Sequence, residues 1–177
     1  GASHWLGENA IYKMQALLAK IPELDARLPN DPFLGRGSIC ATMIEARGGS
    51  NNVVPDWCEM VLDRRLTFGE TAQDALAQVR ALAPERDDFE IEILQYDQPS
   101  YNGYQRTVEQ IFPAWAFDDA HPFVRAACET SRSLNLETAT GKWNFSTNGA
   151  YWAGVAGIPS VGFGPGDENL AHIVDEH

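Results

Sequence analysis

The chain has 177 residues, of which 44% are hydrophobic, and a formal net charge of −12 at pH 7. This amount of apolar material can bury the core of one domain or of two small domains. The negative charge repels the phosphates of nucleic acids and the surface of anionic membranes, so neither is expected as a partner. No apolar run reaches the roughly 20 residues that a membrane-spanning helix needs, and no signal-peptide pattern opens the sequence.

Cysteine usage indicates the redox compartment. The chain has three cysteines, Cys40, Cys58 and Cys128. An odd number without a C-x-x-C pair argues against both a disulfide framework and a zinc ribbon. We therefore expect buried thiols in a reducing compartment and a cytoplasmic location.

The first predicted element is a long amphipathic helix over Glu8–Ala26, which Asn9 or Gly7 can cap. Its apolar positions recur at helical spacing: Ile11, Met14, Leu17, Leu18, Ile21, Leu24 and Leu28. Residues 37–46 and 53–66 follow as two strands around a turn rich in glycine and asparagine, which predicts a β-hairpin.

A second helix and one more strand complete the first half. The helix begins after Thr71, and Phe89–Leu94 alternates between apolar and acidic residues as a strand does. The order helix, strand, strand, helix, strand becomes β-α-β-β-α-β if one strand precedes residue 1. That topology is the split βαβ sandwich, with two helices on one face of a four-stranded sheet.

The second half predicts an α/β fragment. Residues 98–120 are rich in proline and aromatic residues, and we expect a linker that packs on the fold instead of staying solvated. A helix is predicted from Pro122 to Leu134 with Phe123 facing inward, and His121 before it as a cap or surface residue. A strand and loop over 143–149 open a short helix at 150–156, and a strand over 158–163 follows.

A glycine-rich loop near the end of the chain carries the best candidate for chemistry. The spacing Gly162-x-Gly164-x-Gly166 fits neither the dinucleotide fingerprint nor the P-loop, so a tight turn is the simpler interpretation. His172 follows as either an ordinary loop histidine or a metal ligand. Glu176 can orient its second ring nitrogen or belong to a solvated acidic loop.

Three other places offer polar side chains with open roles. Thr147 lies in a loop without the G-x-S-x-G nucleophile elbow, so hydrogen bonding is the better interpretation. Asn52 is either a turn residue or a substrate contact. Of Arg64 and Arg65 at the end of the hairpin, one can bind a carboxylate bidentately while the other is solvated.

Several short segments occur here in the order seen in one family: Gly7–Ile11, Asn52–Asp56, Asp63–Leu66 with Gly69–Thr71, Ser146–Gly149, and Gly162–His172. On these segments the chain resembles the di-zinc metallopeptidases that include acetylornithine deacetylase, succinyl-diaminopimelate desuccinylase, aminoacylase and the glutamate carboxypeptidases. Tyr96–Tyr101 and Ile111–Trp115 are most similar to a subgroup of hydrolases named for a link to selenium metabolism. The likeness covers nearly the whole chain.

The resemblance implies an α/β catalytic domain that is interrupted by a ferredoxin-like lid, through which the protein forms a homodimer. Residues 1–97 would be this lid without its first strand, and residues 98–177 the C-terminal part of the catalytic domain. The expected cofactor is a pair of zinc ions, with cobalt or manganese as substitutes. The expected substrate is an N-acyl amino acid or a small peptide.

The resemblance also implies roles for single residues. His172 matches a zinc ligand. Arg65 and Asn52 match lid residues that hold the carboxylate end of the substrate. Thr147 and Asn148 fall on a loop facing the substrate, although many members have aspartate where this chain has Asn148.

The remaining zinc ligands, the glutamate base and a lid histidine are expected before Gly1, and His4 does not take that histidine's place. We therefore expect no activity from this chain alone, within a parent protein that hydrolyses an amide bond through a zinc-activated water. One alternative is a non-catalytic dimerisation module. Another is an organic-acid binding protein that uses Arg65.

Overall fold

The computed structural model describes residues 4–84, 88–164, 168–170 and 174. The chain divides into two compact units: unit 1 comprises Gly1–Asp31 and Gly35–Ile111, and unit 2 comprises Pro32–Leu34 and Phe112–His177. The described part is mixed α/β, with helices and two-stranded antiparallel sheets. Within it, every helix is too short or too polar to cross a membrane.

In its described residues, unit 1 contains a 3-10 turn at His4–Leu6, three α-helices and three small sheets. Its elements in chain order are α1 (Ala10–Leu18), α2 (Ile21–Arg27), β1 (Asn30–Asp31), β2 (Gly35–Arg36), β3 (Ser38–Arg47), β4 (Trp57–Arg65), α3 (Ala72–Arg80), β5 (Gln95–Tyr96) and β6 (Val108–Glu109). The predicted hairpin is confirmed as β3 and β4, which pair from Ser38 opposite Arg65 to Arg47 opposite Trp57.

The first helix is two helices instead of one. Asn9 caps α1 as predicted, because its side chain accepts a hydrogen bond of 2.9 Å from the backbone N–H of Ile11. The chain then turns at Lys20, and α2 starts with Pro22 in its first turn. Proline has no N–H to continue the helical hydrogen bonds, so it fits the start of a new helix and not the middle of a long one.

The helices cover one face of the hairpin, with α1 on β4 and α2 on β3. Helical spacing brings Ile21, Leu24 and Leu28 to one side, where they meet Ile39 of β3 and Val79 of α3 in a buried core. Ile11, by contrast, is 42% exposed although the periodicity predicts it as inward. The predicted helix–sheet packing is thus confirmed for α2 and only partly for α1.

The predicted strand over residues 89–94 does not form. Phe89, Ile91 and Ile93 are half-buried and Glu90 and Glu92 are exposed, so the alternation is present without a backbone ladder. In the split βαβ topology the last strand pairs with the first one, and in the described residues no strand lies beside residues 89–93. The alternation of apolar and acidic residues indicates which side chains face the core, but a strand also needs a neighbouring strand for its backbone hydrogen bonds. The sheets in the described residues have two strands each, and none of them includes residues 89–94.

Asp25 joins α2 to the start of β3. One carboxylate oxygen accepts from the backbone N–H of Ile39 at 2.9 Å, and the other accepts from the Arg36 guanidinium at 3.0 Å. The hydrogen bond from Ile39 and then the one from Arg36 lower the pKa of Asp25 from its ordinary 3.8. The ionised carboxylate is therefore favoured in the folded chain.

We expect the free energy of unfolding of Asp25→Asn to depend less on pH in the acidic range than that of the parent chain. A carboxyl with a lowered pKa stabilises the fold above its unfolded pKa of about 4, and this contribution disappears as the pH falls through the lower folded value. Urea unfolding of both proteins at pH 6 and pH 3 measures the effect. The parent chain should lose more stability on acidification than Asp25→Asn does, and equal losses would contradict the prediction.

Unit 2 contains helix α4 (Pro122–Ser133), the short helix α5 (Gly149–Trp152) and a 3-10 turn at Glu168–Leu170. His121 caps α4, since its Nδ1 accepts from the backbone N–H of Phe123 at 3.2 Å. The prediction that Phe123 faces inward is wrong, because it is 46% exposed. Residues 143–149 and 158–163 form no strands, since the described part places no partner strand beside them.

The segment over residues 98–120 packs on the fold only in part, because Tyr101, Tyr104 and Phe112 are 103%, 65% and 57% exposed while residues 113–117 are half-buried. A Cβ on Gly149 would overlap the ring of Trp115, and one on Gly154 would lie 2.9 Å from the Pro113 ring. Both glycines therefore allow the proline- and aromatic-rich segment to lie directly against the backbone at α5.

The prediction of buried thiols is wrong for Cys40, which is exposed on β3. All three cysteines are free thiols.

Candidate functional site

Arg65 lies at the end of β4 on the face of the hairpin that carries no helices. Its Nε and Nη2 donate to one carboxylate oxygen of Asp63, at 3.1 and 2.8 Å. About half of the Arg65 side chain is exposed, at 49%. Within the described residues its Nη1 has no hydrogen-bond acceptor, so the guanidinium is oriented by Asp63 and still presents donors to an anion.

Arg64 precedes Arg65 on β4, and its side chain points toward the helix-covered face of the hairpin, because successive side chains of a strand alternate between faces. It forms an ion pair with Glu70, and the side chains are only 9% and 7% exposed. Of the two arginines, the one that is paired with a carboxylate inside the fold is therefore Arg64, and the one open to solvent is Arg65. Only Arg65 can meet a ligand.

Asn52 lies in the turn that joins β3 to β4, at the opposite end of the hairpin from Arg65. Its side-chain oxygen accepts from the Ser50 hydroxyl at 2.5 Å. β4 rises about 3.3 Å per residue, so its two ends are roughly 26 Å apart. The structure therefore does not bring Asn52 and Arg65 of one copy to the same small ligand.

Thr147 and Asn148 are adjacent at the start of α5 in unit 2. The Thr147 hydroxyl accepts from the backbone N–H of Gly149 at 3.1 Å and is half-buried. Asn148 is exposed and its side chain makes no capping hydrogen bond. Thr147 thus supports the local backbone, and Asn148 is the residue of the two whose side chain is available for a ligand.

This difference predicts effects of different size for two substitutions. We expect Thr147→Ala to lower the free energy of unfolding by about 1 kcal/mol, the usual effect of removing a capping hydroxyl. Asn148→Ala should change it by less than about 0.5 kcal/mol, as exposed substitutions do. Chemical denaturation of the two variants measures both values, and a larger loss for Asn148→Ala would reverse the assignment.

His172 and Glu176 lie outside the described residues, and their predicted roles stay predictions. Part of the loop before them is described: Gly162 lies against Trp143, whose ring a Cβ there would overlap. The Asn144 backbone and side-chain N–H groups also both donate to Glu168, each at 2.9 Å. No three metal-ligating side chains converge in the described ranges, which therefore do not form a metal site by themselves.

An open cavity of about 500 Å³ lies beside α4 and contains none of the predicted site residues. Its lining residues are Asp119, Arg125, Cys128, Glu129, Arg132, Ala139 and Thr140. Two arginines and two acidic residues balance one another there, so the cavity has no clear preference for an anion or a cation.

The sequence analysis missed the buried cluster around Arg64 and Glu70. The sequence offers one indication of this cluster, which is a glycine directly before Glu70. In the structure Gly69 has a φ of +85° and turns the chain, so that Glu70 faces back toward Arg64 on the strand.

Comparisons with known proteins agree on one family. Residues 1–88 match the peptidase dimerisation domain of the M20 family. The chain is 39% identical to YgeY of Escherichia coli (strain K12), with 99% of this chain and 44% of YgeY covered. It is 27% identical to the N-formyl-4-amino-5-aminomethyl-2-methylpyrimidine deformylase of Bacillus subtilis, with 96% and 42% covered. It is 26% identical to the succinyl-diaminopimelate desuccinylase of Corynebacterium glutamicum, with 99% and 42% covered. The chain thus spans less than half the length of these relatives.

Proposed function

Because residues 1–88 belong to the M20 peptidase dimerisation-domain family, we propose that the chain is part of a hydrolase that cleaves the amide bond of an N-acyl amino acid or small peptide. Residues 1–97 are its lid and residues 98–177 the C-terminal segment of its catalytic domain. The names of two relatives, a desuccinylase and a deformylase, describe removal of an acyl group from nitrogen. They support this reaction class.

The observation that carries the proposal is the geometry of Arg65. Its guanidinium is oriented by Asp63, half-exposed, and on the open face of the hairpin. A planar guanidinium with unused donors matches a carboxylate, and an N-acyl amino acid retains one carboxylate next to the amide that is cleaved. Arg65 therefore binds the carboxylate end of the substrate.

We propose that the complete site uses two copies of the chain. Asn52 and Arg65 lie at opposite ends of the hairpin, so a substrate that contacts both must receive them from different copies. Strand β3 supports such pairing, since Met43 and Ile44 are 44% and 51% exposed on a strand with an unpaired edge in the described residues. The homodimer forms through unit 1.

A pair of metal ions, zinc first and cobalt or manganese as substitutes, completes the proposed site, with His172 as one ligand and Glu176 beside it. When bound, such an ion supplies an activated water. Thr147 stabilises the loop that presents Asn148 to the substrate.

The proposal is tested with the full-length protein and pairs of substrates that differ only at the carboxylate: N-acetyl amino acids and their carboxamides. We expect hydrolysis that a chelator abolishes and zinc restores. We also expect kcat/KM to favour the acid by roughly tenfold or more, because a charge-assisted hydrogen bond is worth about 1.5–3 kcal/mol.

Arg65→Gln is the matched variant. It should remove the preference for the acid and leave hydrolysis of the carboxamide nearly unchanged. An unchanged preference would contradict the role of Arg65. Failure to hydrolyse any N-acyl compound, with dimerisation intact, would favour the second candidate, a non-catalytic dimerisation module whose supporting observation is the exposed edge of β3.

A further inference from the structure

We propose that the buried pair of Arg64 and Glu70 is a positioning device that sets the orientation of Arg65 toward the substrate carboxylate. This inference rests on the proposed function, in which Arg65 binds that carboxylate. Arg64 and Glu70 do not contact the substrate. They act on the backbone from which Arg65 projects.

The hydrogen bonds of Arg64 are directed at this backbone. Its Nη1 donates to the carbonyl oxygen of Arg65, and its Nη2 donates to Glu70 and, at 3.2 Å, to the side-chain oxygen of Gln78. The second carboxylate oxygen of Glu70 accepts from the backbone N–H of Thr67 at 3.0 Å. The pair therefore holds the chain at residues 65 and 67, on both sides of Leu66.

The surroundings keep the pair in one arrangement. Thr67 is 2% exposed, and its hydroxyl donates to the carbonyl of Gly35 at 2.9 Å. Gly37 leaves the space that the pair occupies, since a Cβ there would lie 2.9 Å from Arg64 Nη1 and 2.9 Å from Glu70 Oε2. The end of β4 is thus fixed from the core side, while Arg65 faces the open side.

Stability alone is a poor explanation for this cluster. A buried ion pair is often no more stable than apolar side chains of similar volume. The Nε of Arg64 is also buried without a hydrogen-bond partner in the described part of the chain, which adds a desolvation penalty. Precise placement of a binding group explains the charges better, because a misplacement of about 1 Å can lower a rate roughly hundredfold.

The test uses the full-length enzyme and the ratio of kcat/KM for an N-acetyl amino acid to kcat/KM for its carboxamide. Two variants disturb the cluster without changing Arg65: Glu70→Gln removes the charge opposite Arg64, and Gly37→Ala pushes against both side chains. The control is Thr71→Ala, which removes the capping box of α3 but no contact of Arg64.

We expect both cluster variants to lower the preference for the acid roughly tenfold, through KM for the acid, with the carboxamide hydrolysed at the parent rate. Thr71→Ala should keep the full preference. If Arg65→Gln lowers the preference and the cluster variants do not, this inference is overturned and the proposed function stands. If Thr71→Ala lowers it as much as they do, the inference is also overturned. If Arg65→Gln itself has no effect on the preference, both this inference and the proposed role of Arg65 are overturned.

Discussion

Replacing Arg64 by leucine lowers the free energy of unfolding by about 3–5 kcal/mol, because Glu70 is then left as a buried carboxylate without its cation. The hydrogen bond that Glu70 accepts from Thr67 remains, but it does not neutralise the charge. Urea unfolding at pH 7 measures the loss. This is the largest effect we expect from any single substitution of an ionised residue in unit 1.

The neighbouring arginine provides the matched control. Arg65→Leu removes an exposed pair with Asp63 and should change the free energy of unfolding by at most about 1 kcal/mol. The double variant Arg64→Leu/Glu70→Leu should recover part of the loss, since no buried charge is left alone. Equal losses for Arg64→Leu and Arg65→Leu would contradict the opposite placement of these two side chains.

Ile21→Ala lowers the free energy of unfolding by about 2–5 kcal/mol, the range for removing a buried isoleucine. Ile21 is 3% exposed and packs with Leu24, Leu28, Ile39 and Val79. Thermal or urea unfolding of the variant measures the value.

Ile11→Ala is its control, because the same periodicity predicts both residues as inward while the structure exposes Ile11. We expect a loss of no more than about 1 kcal/mol there, since less apolar surface returns to water. A loss at Ile11 as large as that at Ile21 would mean that α1 is buried as deeply as α2.

Local features of the fold could be predicted where one residue decides them. Asn9 and His121 cap their helices as expected from side chains that accept backbone hydrogen bonds. The hairpin follows from two β-rich segments around a glycine-rich turn. Pro22 also acts locally, because a proline at this position favours the start of a new helix over the middle of a long one.

Features that need a distant partner could not be predicted in the same way. The alternation at residues 89–94 correctly predicts which side chains are half-buried. It wrongly predicts a strand, because the backbone hydrogen bonds of a strand depend on a second strand elsewhere in the chain. The exposure of Cys40 depends likewise on what covers β3. Sequence patterns report the preference of a segment, whereas pairing and burial depend on its neighbours.

The candidate site likewise combines features that the sequence predicts with features that depend on distant residues. Motif order pointed to Asp63–Leu66 as a carboxylate-binding segment, and the structure assigns the open face to Arg65 and the core to Arg64. The separation of Asn52 from Arg65 follows from the length of β4, which single motifs do not reveal. The site shared by two copies that we propose rests on this separation.

Mixing two impaired variants of the full-length protein tests this sharing most directly. Asn52→Ala and Arg65→Gln are unfolded and refolded together at equal amounts, and hydrolysis of an N-acetyl amino acid is measured. Since random pairing makes half of the dimers mixed, and each mixed dimer has one intact site of two, about a quarter of the parent activity should appear on top of the residual activity of the altered sites. Activity no higher than the mean of the two variants alone would contradict a site built from two copies.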